Sequence, residues 1–200
     1  AAEKQNCTSA GLDTNAVGAR IYLVRQRGEP PDLAPVSRVL PGVTETTPFN
    51  VLSALINCRV TEEDKRNGLA TALPGDAQLL GVDPVPNRPG VYEVRLGALT
   101  GTGGQKNDLD KLAVAQIFFT LTDRDVTEPV RELVFTVAGR SVAVSTDNRT
   151  VGVADTVRRD DFLSSVPSGS PVTTTASTTT VPVTLPPTTT SRAAATGATA

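Results

Sequence analysis

Residues 167–200 limit most sharply what this chain can fold into. They are thirty-four positions built almost wholly from Thr, Ser, Pro, Ala, Val and Gly, with Arg192 as the only charge and no aromatic residue. Twelve threonines, several in triplets, alternate there with Pro171, Pro182, Pro186 and Pro187. Such a segment buries too little apolar surface to offset the entropy of ordering its backbone, so the sequence predicts a disordered tail. The composition is that of an extracytoplasmic stalk of the O-glycosylated kind, which points to a protein working outside the cytoplasm.

Residues 1–166 have the length of one domain with an ordinary core. They hold all twenty-one acidic residues and eighteen of the nineteen basic ones, a net charge of −3. Arg and Lys alternate with Asp and Glu instead of forming a basic stripe, which argues against nucleic acid as a partner. No apolar run approaches the roughly eighteen residues a bilayer span needs. The chain starts without Met at Ala1, as expected of an exported chain whose signal has been removed; a lipidated cysteine just before Ala1 remains open.

Cys7 and Cys58 are the two cysteines. In an oxidising compartment an isolated pair is a candidate disulfide. A metal pair is the weaker reading, because zinc sites want three or four sulfur and nitrogen ligands at short spacing and the chain has no His and no CxxC.

Along the chain, residues 1–18 are small and polar and read as a tether. Residues 19–25 are β-rich, and 33–40 form an edge-like strand limited by Pro35. A helix starts at Thr47, which can cap it with Pro48 in the first turn, and Val51, Leu52, Leu55 and Ile56 make its apolar stripe up to Cys58. Residues 61–67 read as a charged connection. Residues 77–85 and 91–99 are strands joined by a Pro-, Asn- and Gly-rich hairpin loop. A second helix, over about 107–122 with Asn107 or Asp108 as cap, is apolar on nearly every face and should be the most buried element. Residues 133–138 and 141–145 form a hairpin around Gly139-Arg140, and 155–166 return Phe162 and Leu163 to the core. The order β-β-α-β-β-α-β-β predicts an α+β fold, a mainly antiparallel sheet with both helices on one face. The folded domain is expected over 19–166.

Catalytic material is scarce. Without His there is no Ser-His-Asp or Cys-His scheme. Asp160-Asp161 follows Arg158-Arg159 as a self-neutralising run, read as a solvated charge cluster because paired catalytic carboxylates face one another across a substrate. Asp123, Asp125 and Glu128 place acids at calcium-loop-like positions, but without the loop glycine and the downstream Glu. Residues 101–106, Gly-Thr-Gly-Gly-Gln-Lys, fit no phosphate-loop pattern, and Asp108 and Asp110 put negative charge where phosphate would sit. Asn6 and Asn148 stand in formal glycosylation sequons. No cofactor, metal or catalytic residue is assigned.

Read as an ordered set, Ile21-Tyr22-Leu23-Val24, residues 33–40 and 47–57, Gly68-Leu69-Ala70-Thr71-Ala72-Leu73-Pro74, Val91 to Leu96, and residues 112–122 resemble the GerMN domain of bacterial envelope lipoproteins. The most specific parts are the Gly-Leu-x-Thr-Ala-Leu-Pro segment and the helix containing Gln116 and Thr120. The chain departs from the family at Asn57-Cys58-Arg59, where a Gly-Pro turn usually ends the first helix; a disulfide from Cys58 to the N-terminal tether is a substitute anchor. The resemblance implies a non-catalytic extracytoplasmic module linked to sporulation, germination or cell-wall processes. Its partner would be an envelope protein or a second copy, with a cell-wall polymer or solute as the alternative. Gln116 and Thr120 are expected to be hydrogen-bonded structural residues.

Overall fold

The computed structural model describes residues 7, 17–26, 31–40, 42–58, 60–99, 109–153 and 155–162. Chain contacts divide the molecule into Ala1–Ser170 and Pro171–Ala200, and all the described residues belong to the first unit. The expected tail, most of the expected tether, Leu163, Asn6 and the 101–108 loop lie outside the described residues.

β1 (Val17–Arg25) forms where Ile21, Tyr22 and Val24 concentrate β-branched and aromatic side chains, and it pairs antiparallel along its whole length with β2 (Asp32–Leu40). Thr47 Oγ1 accepts the Asn50 amide at 3.3 Å and opens α1 (Pro48–Asn57), whose Val51, Leu52, Leu55 and Ile56 are all buried. The 61–67 connection is instead a short helix, α2 (Glu62–Arg66), stabilised by a reciprocal capping box in which Thr61 accepts from the Asp64 amide and Asp64 from the Thr61 amide. Its acids fall in the first turn and its bases in the last, as the helix dipole favours.

β3 (Leu69–Ala70) pairs with Val24 and Arg25 on the other side of β1. β4 (Leu79–Pro84) and β5 (Val91–Leu96) form an antiparallel pair. Two successive turns join them: Val85 accepts from Arg88 and Arg88 from Val91, with a proline second and a positive-φ residue third in each, Asn87 and then Gly90. α3 (Lys111–Leu121) is capped by Asp110, whose Oδ1 accepts the Leu112 amide at 2.8 Å. That replaces the expected Asn107 or Asp108 cap. Every α3 residue from Ala113 to Leu121 is buried.

β6 (Glu132–Val137) follows α3 and runs parallel to β5, Val91 beside Glu132 through Leu96 beside Val137. A parallel partner requires a crossover, and α3 with its flanking loops supplies it. β7 (Arg140–Ser141) folds back on β6 through Ala138 and Gly139, both at positive φ as a two-residue hairpin turn demands. β8 (Val144–Ser145) and β9 (Thr150–Val151) pair as a small hairpin, and a 3-10 turn over Arg159–Asp161 delivers Phe162.

The fold is α+β with mostly antiparallel strands. They are distributed over a three-stranded sheet, β2-β1-β3, a four-stranded sheet, β4-β5-β6-β7, and the β8-β9 pair. α1 and α3 pack on each other and both on β1, while α1 also meets β4. One core holds both larger sheets and both long helices. Its aromatic centre is Phe118, Phe119, Phe162 and Tyr22, with ring centroids 5.2–6.0 Å apart in tilted and edge-on arrangements.

Candidate functional site

An antiparallel strand turns alternate residues toward each neighbour, so hydrogen bonds on one side identify what the other side offers. Val39 of β2 donates outward to the Cys7 carbonyl at 3.1 Å, so the outward-facing positions are odd-numbered and include Pro35, which has no N–H. Val85 bonds back to Val91 at 2.9 Å, which puts Pro84 at an outward-facing position of β4, and the strand also carries a bulge between Leu79 and Gly81. On β6, Leu133 exchanges both backbone bonds with Val157, at 3.0 and 2.8 Å. The long edges are thus blunted by proline, bulge or bridge.

The edge of β1 is closed by side chains. Thr120 Oγ1 accepts the Tyr22 amide at 3.1 Å, and Gln116 Nε2 donates to the Tyr22 carbonyl at 2.8 Å. Gln116 Oε1 also accepts the Ala72 amide at 2.6 Å. Both side chains are wholly buried. Two polar residues of an apolar helix therefore stand in for a missing β partner and lock the Gly68-to-Pro74 segment to β1, which gives the two most specific parts of the family resemblance one joint structural task.

What remains open is one face of the four-stranded sheet. Tyr92, Val94, Leu96, Leu133, Phe135 and Val137 point into the core. The alternate row of Asp83, Glu93, Arg95, Glu132, Val134 and Thr136 is half-buried or exposed. Register aligns this row across the strands, Asp83 with Glu93 with Val134, and Arg95 with Thr136. Asp83 and Arg95 pair within the face, Glu132 pairs with a residue outside it, and Glu93 accepts a hydroxyl. Arg95 Nε donates to Asp83 at 2.9 Å, Thr136 donates to Glu93, and Glu132 is held by Arg158 at 3.0 Å and Thr156 at 2.6 Å. Gly81 leaves the space that the Arg95 guanidinium occupies; a Cβ there would collide with it. The alternation Glu-Leu-Val-Phe-Thr-Val in residues 132–137 announces this face in the sequence.

Of the acids considered for chemistry, Asp123, Asp125, Glu128 and Asp161 are engaged by protein donors. Asp161 is not solvated: it is buried, and Arg149 grips it through Nε at 2.6 Å and a terminal nitrogen at 3.0 Å while the Arg158 amide donates at 2.8 Å. Burial opposes its ionisation, but these donors outweigh burial and hold its carboxyl below the usual range. Arg159 lies over the Phe119 ring at 5.7 Å, and the neighbouring Asp160 is exposed to water. Asp123 accepts the Tyr22 hydroxyl at 2.6 Å and Arg20 at 3.4 Å, Asp125 pairs with Arg20 at 3.6 Å, and Glu128 takes the Tyr92 hydroxyl. Burial first, and the carboxylate bond second, push both phenols up to about 12. Asn148 uses its amide to donate to the Asp160 carbonyl. Among the described residues no cluster of three or more His, Cys, Asp or Glu could hold a metal ion.

Cys7 and Cys58 are joined as a disulfide that ties the segment bonded to β2 to the C-cap of α1. Beside it opens a pocket of about 190 Å³ lined by the disulfide, Leu40 and Val43 and, from α1, by Ala54 and the polar Asn50, Ser53 and Asn57. Sequence reasoning passed over these three polar residues, although their i, i+3, i+7 spacing marks one stripe of α1.

Among solved structures, the tandem GerMN domains of the sporulation protein GerM from Bacillus subtilis superpose with a TM-score of 0.51 at 16% identity, over 68% of this chain and 44% of that one. The chain thus spans less than half the length of that structure, and the likeness is one of fold. A lipoprotein structure from Clostridium perfringens aligns at TM-score 0.41 and 16% identity, over 77% of this chain and 95% of that one. No curated protein matches the sequence significantly. The family model described as Germane, sporulation and spore germination, matches residues 20–143, which span both long helices and the GerMN-like segments closed on each other by Gln116. The chain belongs to the Germane family of sporulation and spore-germination domains.

Proposed function

We propose that this domain is a non-catalytic interaction module of a bacterial cell envelope, working outside the cytoplasm in a sporulation, germination or cell-wall process, and that it binds an envelope protein through the open face of β4-β5-β6-β7. The observation that carries the reading is the contrast between that face and the edges. Proline, bulge, bridge and the Gln116–Thr120 clamp oppose strand addition at the edges, whereas the face presents an aligned row of side chains around Val134. Because Asp83, Arg95 and Glu132 are already ion-paired, covering them strands no lone ion, which lowers the desolvation cost of an interface; Glu93, held by the Thr136 hydroxyl, is the charge that a partner would have to answer. The Thr- and Pro-rich composition of 167–200 supports an extracytoplasmic setting.

A photo-crosslinking residue at Val134, introduced in cells making the full chain, tests this. Discrete protein adducts are expected there and not from the same residue at Glu63, on the exposed side of α2. Equal adduct patterns at both sites, or none at Val134, would refute the assignment of the face. The non-catalytic part is tested by incubation with peptidoglycan and with glycan, ester and peptide substrates: no turnover is expected, and turnover abolished by Asp160→Asn would make the protein an acid–base enzyme.

A further inference from the structure

We propose that Asn67 is a deamidation site and that the C-terminal turn of α2 gates it. Of the eight asparagines, Asn67 alone precedes a glycine. Glycine has no Cβ to hinder its nitrogen or to restrict the backbone around it, so an Asn-Gly link cyclises more readily than other Asn links. The Asn67 side chain is exposed to water at the C-cap of α2. In the reaction the Gly68 nitrogen attacks Asn67 Cγ and forms the new C–N bond of a succinimide ring. The bond from Cγ to the side-chain nitrogen breaks, and that nitrogen leaves as ammonia with the proton lost by Gly68. Water then adds at one of the two ring carbonyls, and opening of the ring gives aspartate or isoaspartate.

The folded turn opposes this reaction twice. Asn67 has a ψ of 3°, which eclipses the Gly68 nitrogen with the nitrogen of Asn67 and turns it away from Cβ, the carbon that carries the reacting amide. The Gly68 N–H, whose proton must leave, donates to the Lys65 carbonyl at 2.9 Å. Both obstacles go together when the last turn of α2 opens. A helix of five residues has too few internal bonds to hold itself, and α2 is fastened by the Thr61–Asp64 capping box and by the buried pair of Asp64 with Arg38 of β2. The site is therefore reached by local opening, without unfolding of the core.

The product disturbs the same junction. Isoaspartate adds a methylene to the main chain just before Gly68, whose carbonyl accepts the Gln26 amide at 2.8 Å, and before β3, which pairs with β1. Either product puts a carboxylate at the C-terminus of α2, where the helix dipole favours cations. Deamidation thus loosens the start of the segment that Gln116 locks to β1. The inference does not depend on the interaction-module reading.

The test incubates the full chain beside a blocked peptide of residues 61–70 in the same buffer, and peptide mapping by mass spectrometry follows the exchange of amide for hydroxyl at Asn67. Conversion is expected at Asn67 ahead of the other asparagines, about tenfold or more slower than in the peptide. Hydrogen exchange at the Gly68 amide reports the same opening, so its protection should match the slowing of deamidation to within about threefold. Thr61→Ala, which removes the cap hydroxyl, should speed both processes by about fivefold, the worth of one N-cap. Should that variant fold poorly, the comparison of slowing with protection in the unaltered chain decides alone. Conversion as fast as in the peptide, a slowing out of step with Gly68 protection, or no conversion after the time that this protection sets would overturn the proposal. So would a well-folded Thr61→Ala variant with neither rate changed.

Discussion

Replacing Gln116 with Leu tests whether the helix-to-strand clamp holds this domain together. The substitution keeps the volume of a wholly buried side chain and removes three bonds, the acceptances from the Ala72 amide at 2.6 Å and the Thr71 hydroxyl at 3.5 Å and the 2.8 Å donation to Tyr22. Two backbone groups, the buried Tyr22 carbonyl and the half-buried Ala72 amide, are left without these partners, and each costs up to about 1–3 kcal/mol. Burying an isobutyl group in place of an amide returns part of this, so a net loss of about 2–4 kcal/mol is expected. A domain of this size has about 5–15 kcal/mol of stability, so the loss is a large fraction of the total. Urea unfolding followed by circular dichroism measures it, and an unchanged slope with denaturant shows that the folded surface is the same. Thr120→Val should cost about 1–3 kcal/mol by stranding the Tyr22 amide. Because both side chains act on Tyr22, the double variant should depart from additivity by about 0.5 kcal/mol or more. A Gln116→Leu loss under about 1 kcal/mol at constant slope would show that water or local rearrangement satisfies these groups, and the clamp argument would fail.

Four further outcomes are expected. Tyr22 and Tyr92, raised from 10.0 to about 12 in the fold, stabilise it fully below pH 10, and this contribution is lost as pH climbs from 10 toward 12; phenolate absorbance tracking the unfolding signal in that window would bear this out, and ordinary titration near 10 with the fold intact would contradict it. Non-reduced mass spectrometry should find Cys7 linked to Cys58, and reduction should cost on the order of 4 kcal/mol for a loop of 51 residues, whereas two free thiols in native protein would count against the link. Asp160→Asn should change stability by less than about 0.5 kcal/mol and Asp161→Asn should cost about 1–3 kcal/mol, an order that would reverse if Asp161 were a solvated residue. A chain ending at Val166 should keep the cooperative thermal transition of the full chain, and its loss would show that 167–200 take part in the fold.

Much of the local structure was legible because its signals are short-range. Thr47 followed by Pro48 and the Val51-Leu52-Leu55-Ile56 stripe mark α1 within ten residues, and the cap, the first turn and the buried face all lie where those residues put them. The burial of α3 was legible in the same way, since its all-round apolarity demands it, although its cap is Asp110, and so were the Pro-, Asn- and Gly-rich turns between β4 and β5. α2 was equally local, since the Thr61 and Asp64 box is written in the sequence, but five charged residues in a row mask it as a solvated link.

The sequence by itself determined the residue classes: no His, two cysteines, a Thr- and Pro-rich stretch over 167–200, and an α+β order of elements. Tertiary structure decided which distant groups meet. Nothing near Gln116 or Thr120 indicates that they will complete the edge of a strand 94 to 98 positions earlier, because a buried amide in a helix fits many partners and only chain topology selects Tyr22. Asp161 reads as half of a charge run until Arg149 closes on it from twelve residues away, which makes it a core anchor while its neighbour Asp160 stays in water. The parallel pairing of β5 with β6 was likewise invisible locally, since each strand's alternation fits either direction. The right choice follows from where α3 must pack its apolar circumference, and that is a property of the whole core.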